Sequence, residues 1–193
     1  MNKILLITMV SFCVACKQTS KKNTSTVESN TKEREWVDLF DGVSFSGWHQ
    51  FNSSEMSAAW IIEDGAMVLP DGTGEGKGNN IVTDKEFTNF ELSLEWKIVE
   101  GGNSGIFWGV KEGEGYETPY QTGPEIQVLD NERHPDSFNN PNFHQAGALY
   151  DMVQPSQDAC KPAGEWNHVF ISINYNTNNA SVKLNGVEIV NFP

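Results

Sequence analysis

From Phe90 to Ile98 the chain alternates apolar and polar residues without a break: Phe-Glu-Leu-Ser-Leu-Glu-Trp-Lys-Ile. A period of two belongs to a strand with one face on a core and one in solvent, whereas an amphipathic helix places its apolar residues three and four apart. Phe90, Leu92, Leu94, Trp96 and Ile98 form the expected buried face. Strand-like runs recur at 59–62, 66–69, 80–83, 104–110, 125–129, 168–175 and 180–190, separated by Gly, Asn, Asp and Pro. No segment after the N-terminal apolar run has a helical period. Asn185-Gly186, inside Lys183 to Glu188, supplies the two positive-φ positions of a tight hairpin turn. The pattern predicts an all-β, antiparallel, two-sheet sandwich.

One run has an unusual polar face. In Gly123-Pro124-Glu125-Ile126-Gln127-Val128-Leu129-Asp130-Asn131, Ile126 and Val128 point one way while Glu125 and Gln127 point the other. Asp130, Glu132, Arg133 and His134 follow at once. A short strand feeding a turn of acids and a histidine is a means of building a polar site on a rigid scaffold. Segments 113–122 and 131–145 are longer than ordinary hairpin loops, and loops of that length in compact domains often carry function. Asp71 to Gly78 is glycine-rich and contains Lys77. It lacks the first glycine of a phosphate loop, the hydroxyl residue after the lysine and a following helix, which argues against nucleotide binding.

The N-terminus reads as an export signal. Lys3 precedes an apolar run from Ile4 to Ala15, too short for a membrane span. Val14-Ala15-Cys16 resembles a bacterial lipoprotein box, so residues 1–15 are expected to be removed and Cys16 lipidated. Lys17 to Arg34, rich in Ser, Thr, Asn and Lys, reads as a flexible tether, and residues 16–35 are assigned to it. The folded domain is expected over 36–193. Cys13 leaves with the signal, so Cys160 remains alone and the fold must rest on its core. Cys160 lies in Gln157-Asp158-Ala159-Cys160-Lys161-Pro162, a loop-like segment with an acid near the thiol, which does not activate it. From Trp36 onward 23 acidic residues face 7 basic ones. That balance argues against nucleic acid or an anionic membrane as a partner of the domain and fits a neutral ligand or a cation. The membrane is expected as a partner only through the lipid.

Several motifs in order resemble one family. Leu39-Phe40-Asp41-Gly42 with Phe45-Ser46-Gly47-Trp48, Phe90-Glu91-Leu92 with Glu95-Trp96-Lys97, and Asn103-Ser104-Gly105-Ile106 are similar to motifs of the 3-keto-disaccharide hydrolases. So are Gly123 to Asp130, Ala146-Gly147-Ala148-Leu149-Tyr150-Asp151 and Gly164-Glu165-Trp166-Asn167. The resemblance covers Trp36 to Pro193. It implies a concanavalin-like β-jelly roll, export with lipid anchoring, and cleavage of 3-keto-glycosides. Family members continue past the Asn185-Gly186 hairpin into Gln-x-His-Gly and Arg-Asn motifs that do not occur here. The resemblance therefore leads one to expect a domain truncated at its C-terminal strand region.

That activity implies particular chemistry. A ketone at C3 of a sugar acidifies the C2–H. Its removal gives an enolate, the aglycone leaves from C1, and water adds back. The reaction needs a base near C2 and stabilisation of the C3 oxygen, a task a divalent cation can serve. Glu125 is the first candidate, as base or metal ligand, and Gln127 shares its face as a donor to sugar hydroxyls. Asp130 and His134 are further catalytic candidates, and Asp130, His134 and His144 are candidate metal ligands. Asn103 would meet a hydroxyl from a close-approaching turn. Trp108 and Tyr150 could stack on sugar C–H faces. Glu95 could pair with Glu125 in ordinary two-carboxylate hydrolysis if their strands share a concave sheet. His49 and His168 are weaker candidates, since His168 opens a core strand. The alternative to an enzyme is a carbohydrate-binding module of the same fold.

Overall fold

The computed structural model describes residues 35–70, 79–140 and 142–193. By backbone contacts the chain divides into Met1–Trp36 and Val37–Pro193. The predicted signal, Cys16 and the tether to Arg34 lie outside the described residues, as does Asp71 to Gly78. Among the described residues no helix is long and apolar enough to cross a membrane.

Val37–Pro193 is built from antiparallel strands. They run β1 (Trp48–Gln50), β2 (Ile61–Glu63), β3 (Ala66–Val68), β4 (Ile81–Thr83), β5 (Phe90–Trp96), β6 (Asn103–Phe107), β7 (Glu125–Leu129), β8 (Asn167–Asn174), β9 (Asn179–Leu184) and β10 (Val187–Phe192). A 3-10 turn at Pro119–Gln121 and a one-turn helix, α1 (Asp136–Asn139), interrupt them. The largest sheet has the order β10-β9-β8-β5; β1 pairs with β4, β2 with β3, and β6 with β7.

The alternating run behaves as its period requires. β5 pairs with β8 from Phe90↔Ile173 to Trp96↔Asn167. Its apolar residues pack on the core, while Ser93 and Glu95 are exposed. In β8 the inward set is Val169, Ile171 and Ile173; in β9 it is Ala180, Val182 and Leu184. These residues meet Ile126 and Val128 of β7 in one cluster, so the four-stranded sheet and the β6–β7 pair share a core. At the β9–β10 turn, Asn185 and Gly186 have φ of 51° and 83°, the left-handed pair that an Asn-Gly hairpin needs. Asn185 also anchors the turn: its Oδ1 accepts the His168 N–H at 2.9 Å and its Nδ2 donates to Asn167 Oδ1 at 2.8 Å.

β7 is hydrogen-bonded on both edges. On one it pairs with β6, from Asn103↔Leu129 to Phe107↔Glu125. On the other, the Gly147 N–H donates to Gln127 O at 2.8 Å, the Gln127 N–H to Ala148 O at 3.0 Å, and the Tyr150 N–H to Glu125 O at 3.0 Å. Residues 147–150 therefore act as a further neighbour strand, one the sequence pattern does not reveal. This flanking buries four of the five residues of β7, including Gln127 on the polar face.

Candidate active site

Glu125 stands at the first residue of β7, where the long β6–β7 loop ends. Its side chain lies across Gly105 of β6, and this contact explains the glycine. A Cβ added there would overlap Glu125 Oε1 and lie 2.7 Å from Cδ and 2.8 Å from Cγ. The carboxyl is half-buried, and among the described residues no group hydrogen-bonds it. Burial raises its pKa to about 7, with a further upward push from Asp136 and a smaller opposing pull from His144.

Beside Glu125 sits a knot of four side chains carried on segment 136–151. His144 is buried, with Nδ1 2.9 Å from Asp136 Oδ1 and Nε2 2.7 Å from Asp151 Oδ1. Two carboxylates flank one ring from opposite sides, an arrangement that favours protons on both ring nitrogens. Burial opposes that charge, but the hydrogen bonds to Asp151 and Asp136 together outweigh it and the His144 pKa is raised. The Tyr150 ring stacks on His144, with centroids 4.1 Å apart and planes 13° from parallel, and its hydroxyl donates to Asp136 Oδ2 at 3.0 Å. Burial and that bond push the Tyr150 pKa up to about 12. Burial would raise the Asp136 pKa, but hydrogen bonds from Tyr150, His144 and Asn139 lower it on balance. Both Asp136 oxygens are thus occupied. Of this group, Asp136 adds to the effect of burial on Glu125 and His144 partly opposes it.

The structure brings together Glu125, His144 and Tyr150 of the expected residues, with Gln127 two positions along the same face. Gln127 is buried, and its Oε1 accepts the Val128 N–H at 3.1 Å. Tyr150 serves as a partner of His144 and Asp136 rather than as an open stacking surface. The other expected residues lie apart. Asp130 alternates to the face opposite Glu125 and closes the following turn, accepting the Gly101 N–H at 2.8 Å and the Glu132 N–H at 3.1 Å. His134 turns its Nδ1 to the Asp136 N–H at 3.2 Å. Asn103 pairs with Leu129, four residues and about 13 Å of strand from the Phe107↔Glu125 end. Trp108 packs against the core. Glu95 lies on the four-stranded sheet, facing away from the core that separates it from β7, so the shared concave sheet needed for a Glu95–Glu125 pair does not form.

The expected metal ligands do not converge either. Asp130, His134 and His144 each have a different local use, and among the described residues no group of three or more His, Cys, Asp or Glu is placed to hold a metal ion. Asp136 and Asp151 are the residues sequence reasoning did not single out. Their signal is spacing around the candidate histidine: one acid eight residues before His144 and one seven after it.

The fold and site together define an all-β antiparallel protein that sets a neutral-range carboxyl beside a histidine clamped by two carboxylates. Residues 35–193 match the 3-keto-alpha-glucoside-1,2-lyase-like domain, and the chain belongs to that family. It is 36% identical over 151 residues to a 3-keto-disaccharide hydrolase of Bacteroides thetaiotaomicron, a match covering 72% of this chain and 52% of that protein. The chain therefore spans about half the length of this curated relative. Two provisionally named glycosyl hydrolases from Parabacteroides distasonis ATCC 8503 have similar crystal structures. One is 33% identical with a TM-score of 0.71, covering 80% of this chain and 70% of its own. The other is 25% identical with a TM-score of 0.56, covering 79% and 63%.

Proposed function

We propose that this protein cleaves the glycosidic bond of 3-keto-glycosides, with Glu125 as the base that removes the C2 proton. The observation that carries the reading is a half-buried carboxyl, free of hydrogen bonds among the described residues, with a pKa of about 7. At neutral pH it is divided between charged and neutral forms, as a group that both takes and returns protons should be. The carboxylate takes the C2 proton and the electron pair moves toward the C3 ketone. Collapse of the enolate expels the aglycone oxygen from C1, which leaves with a proton and gives a C1=C2 double bond conjugated to the ketone. Water then adds its oxygen to C1, and a proton returns to C2.

Ordinary two-carboxylate hydrolysis fits the geometry less well. It needs a second carboxylate free to act as nucleophile or base. Asp136, the acid electrostatically coupled to Glu125, has both oxygens committed to His144 and Tyr150. A carbohydrate-binding module has no need of a carboxyl shifted to neutrality, so the same observation favours chemistry over binding alone. The fold reading that goes with this is a concanavalin-like jelly roll, supported by the family and by the shared core of the two sheets.

The test uses a 3-keto-glucoside with a chromogenic leaving group, incubated with the protein with and without chelator, beside Glu125→Gln. We expect release that falls on the order of 10²–10⁴-fold in the variant. Chelator sensitivity would identify a divalent cation as a participant. Equal rates for the two proteins would sink the assignment of Glu125.

We also propose export and lipid anchoring through Cys16, on the Val14-Ala15-Cys16 box. Cys16→Ser should move the protein from the membrane fraction to the soluble fraction of the producing cell. A variant that still sediments with membranes would refute the anchor.

A further inference from the structure

A second histidine, far from segment 136–151 in sequence, is held in the same way as His144. His49 of β1 has Nδ1 2.6 Å from Asp84 Oδ1 and Nε2 2.9 Å from Glu112 Oε2. Two carboxylates again flank one ring, an arrangement that favours protons on both ring nitrogens. A neutral ring would turn a lone pair toward one of them. The β1–β4 ladder fixes two of the three partners, since His49 pairs with Val82 and Asp84 follows β4 directly. The third, Glu112, belongs to the β6–β7 loop.

That contact is one of several that tie the loop down. Glu112 Oε1 accepts the Asn52 N–H at 2.6 Å. Asn52 Oδ1 accepts the Gly113 N–H at 2.8 Å, and Asn52 Nδ2 donates to Tyr116 O at 2.5 Å. The loop is also closed at its neck. The Lys111 N–H, next to Glu112, donates to Thr122 Oγ1 at 2.9 Å, three residues before Glu125. The last ladder pair before the loop is Phe107↔Glu125. A path of hydrogen bonds and short stretches of chain therefore runs from Asp84 through His49, Glu112, Lys111 and Thr122 to the backbone that presents Glu125.

We propose that His49 is a positioning residue: with Asp84 and Glu112 it clamps the β6–β7 loop to the β1–β4 ladder and so fixes the placement of Glu125 over Gly105. Its relevance to catalysis rests on the reading of Glu125 given above, but the positioning itself is measurable without any substrate. Glu125 is half-buried by its surroundings, and its pKa is sensitive to how closely those surroundings pack. Release of the loop admits water at the neck and lets the carboxyl return toward ordinary carboxylate behaviour.

The experiment compares the wild-type chain with His49→Gln and His49→Arg. Glutamine keeps one donor group and turns an acceptor toward the other carboxylate; arginine restores a charged fork of donors. Two readouts are taken on each: amide exchange of residues 111–118, and the titration midpoint of Glu125 followed by carboxyl-carbon NMR. The expected result is exchange at least 10-fold faster in His49→Gln, together with a downward move of the Glu125 midpoint, both reversed in His49→Arg. Faster exchange with an unmoved midpoint would make the clamp a local tie and overturn the positioning role. Unchanged exchange would overturn the clamp itself. If the wild-type protein fails to cleave 3-keto-glycosides while both readouts respond, the function fails and the positioning stands.

Discussion

His144 shows most clearly how a side chain's chemistry is set by its neighbours. Held between Asp136 and Asp151 and covered by Tyr150, it has no free nitrogen to offer a substrate. Its part is to fix Asp136, and Asp136 in turn raises Glu125. Replacing His144 by Gln should leave Asp136 with one fewer donor, at a cost of about 1–3 kcal/mol in unfolding free energy. It should also move the acidic limb of the pH–rate profile, because the charges around Glu125 change. Denaturant unfolding and the profile together check this; a variant matching wild type in both would remove His144 from the account. At this scale sequence reading recovered the groups that chain direction places. Glu125 and Gln127 share a strand face, Tyr150 lies in a family-like motif, and His144 stands out as a histidine in the polar loop that follows β7. Asp136 and Asp151 were illegible because an acid in a polar loop looks like any turn residue until its partner is known. Asp130 did prove a turn-former, spent on the N–H groups of Gly101 and Glu132. The reading of Cys160 as inert agrees with its pKa, which burial and nearby Asp158 and Asp130 push up to about 12.

At the scale of elements, the β6–β7 pair sets the position of Glu125. Glu125 lies across Gly105 because that position has no side chain, so the contact is one of shape as well as charge. Gly105→Ala should push the carboxyl from its seat and lower kcat/KM on the order of 10²-fold, the usual effect of a misplacement near 1 Å. Steady-state kinetics check this beside a thermal melt. Wild-type kinetics in a variant of wild-type stability would show that the contact does not position Glu125. The strands themselves were legible wherever alternation was clean. β5, β7, β8 and the β9–β10 hairpin fall within one or two residues of the expected runs, and Asn185-Gly186 forms the turn its chemistry dictates. β1 was missed, because three residues containing His49 and Gln50 show no period. The 147–150 segment was missed because an Ala-Gly-Ala run lacks β-branched residues, and only β7 beside it makes it a strand.

Across the whole molecule, several groups hold protons differently in the folded and unfolded chain, and the consequence is a dependence of stability on pH. Glu125, His49 and His144 all have raised pKa values. Each binds its proton more tightly when folded, so its contribution is complete below its ordinary value and disappears as pH rises through the folded one. For Glu125 that window runs from 4.5 to about 7; for the histidines it begins at 6.5 and extends upward. Asp41, Asp130, Asp136 and Asp151 have lowered pKa values, and their contribution is lost as pH falls from 3.8 through the folded values. The acidic excess adds self-repulsion at high pH. Melting temperature should therefore peak in mildly acidic solution and be lower at pH 8.5 than at pH 5, with part of the slope removed in Glu125→Gln. A steady rise to pH 8.5 in a calorimetric series would contradict this. All-β character and acidity were legible from composition and period. Which strands meet was not, because pairs such as β5 with β8 join residues about half the domain apart in sequence, and local pattern does not encode such partners.

The central claim is that Glu125 takes a proton from C2, and isotope exchange reads that step directly. Cleavage of a 3-keto-glucoside in deuterated water should yield 3-keto-glucose carrying deuterium at C2, because the proton returned after elimination comes from solvent. Direct hydrolysis at C1 leaves the original C2–H in place. We expect deuterium at C2 with the wild-type protein and neither release nor label above the enzyme-free rate with Glu125→Gln. Product that retains its C2 hydrogen, or label that persists at the wild-type rate in the variant, would contradict the account.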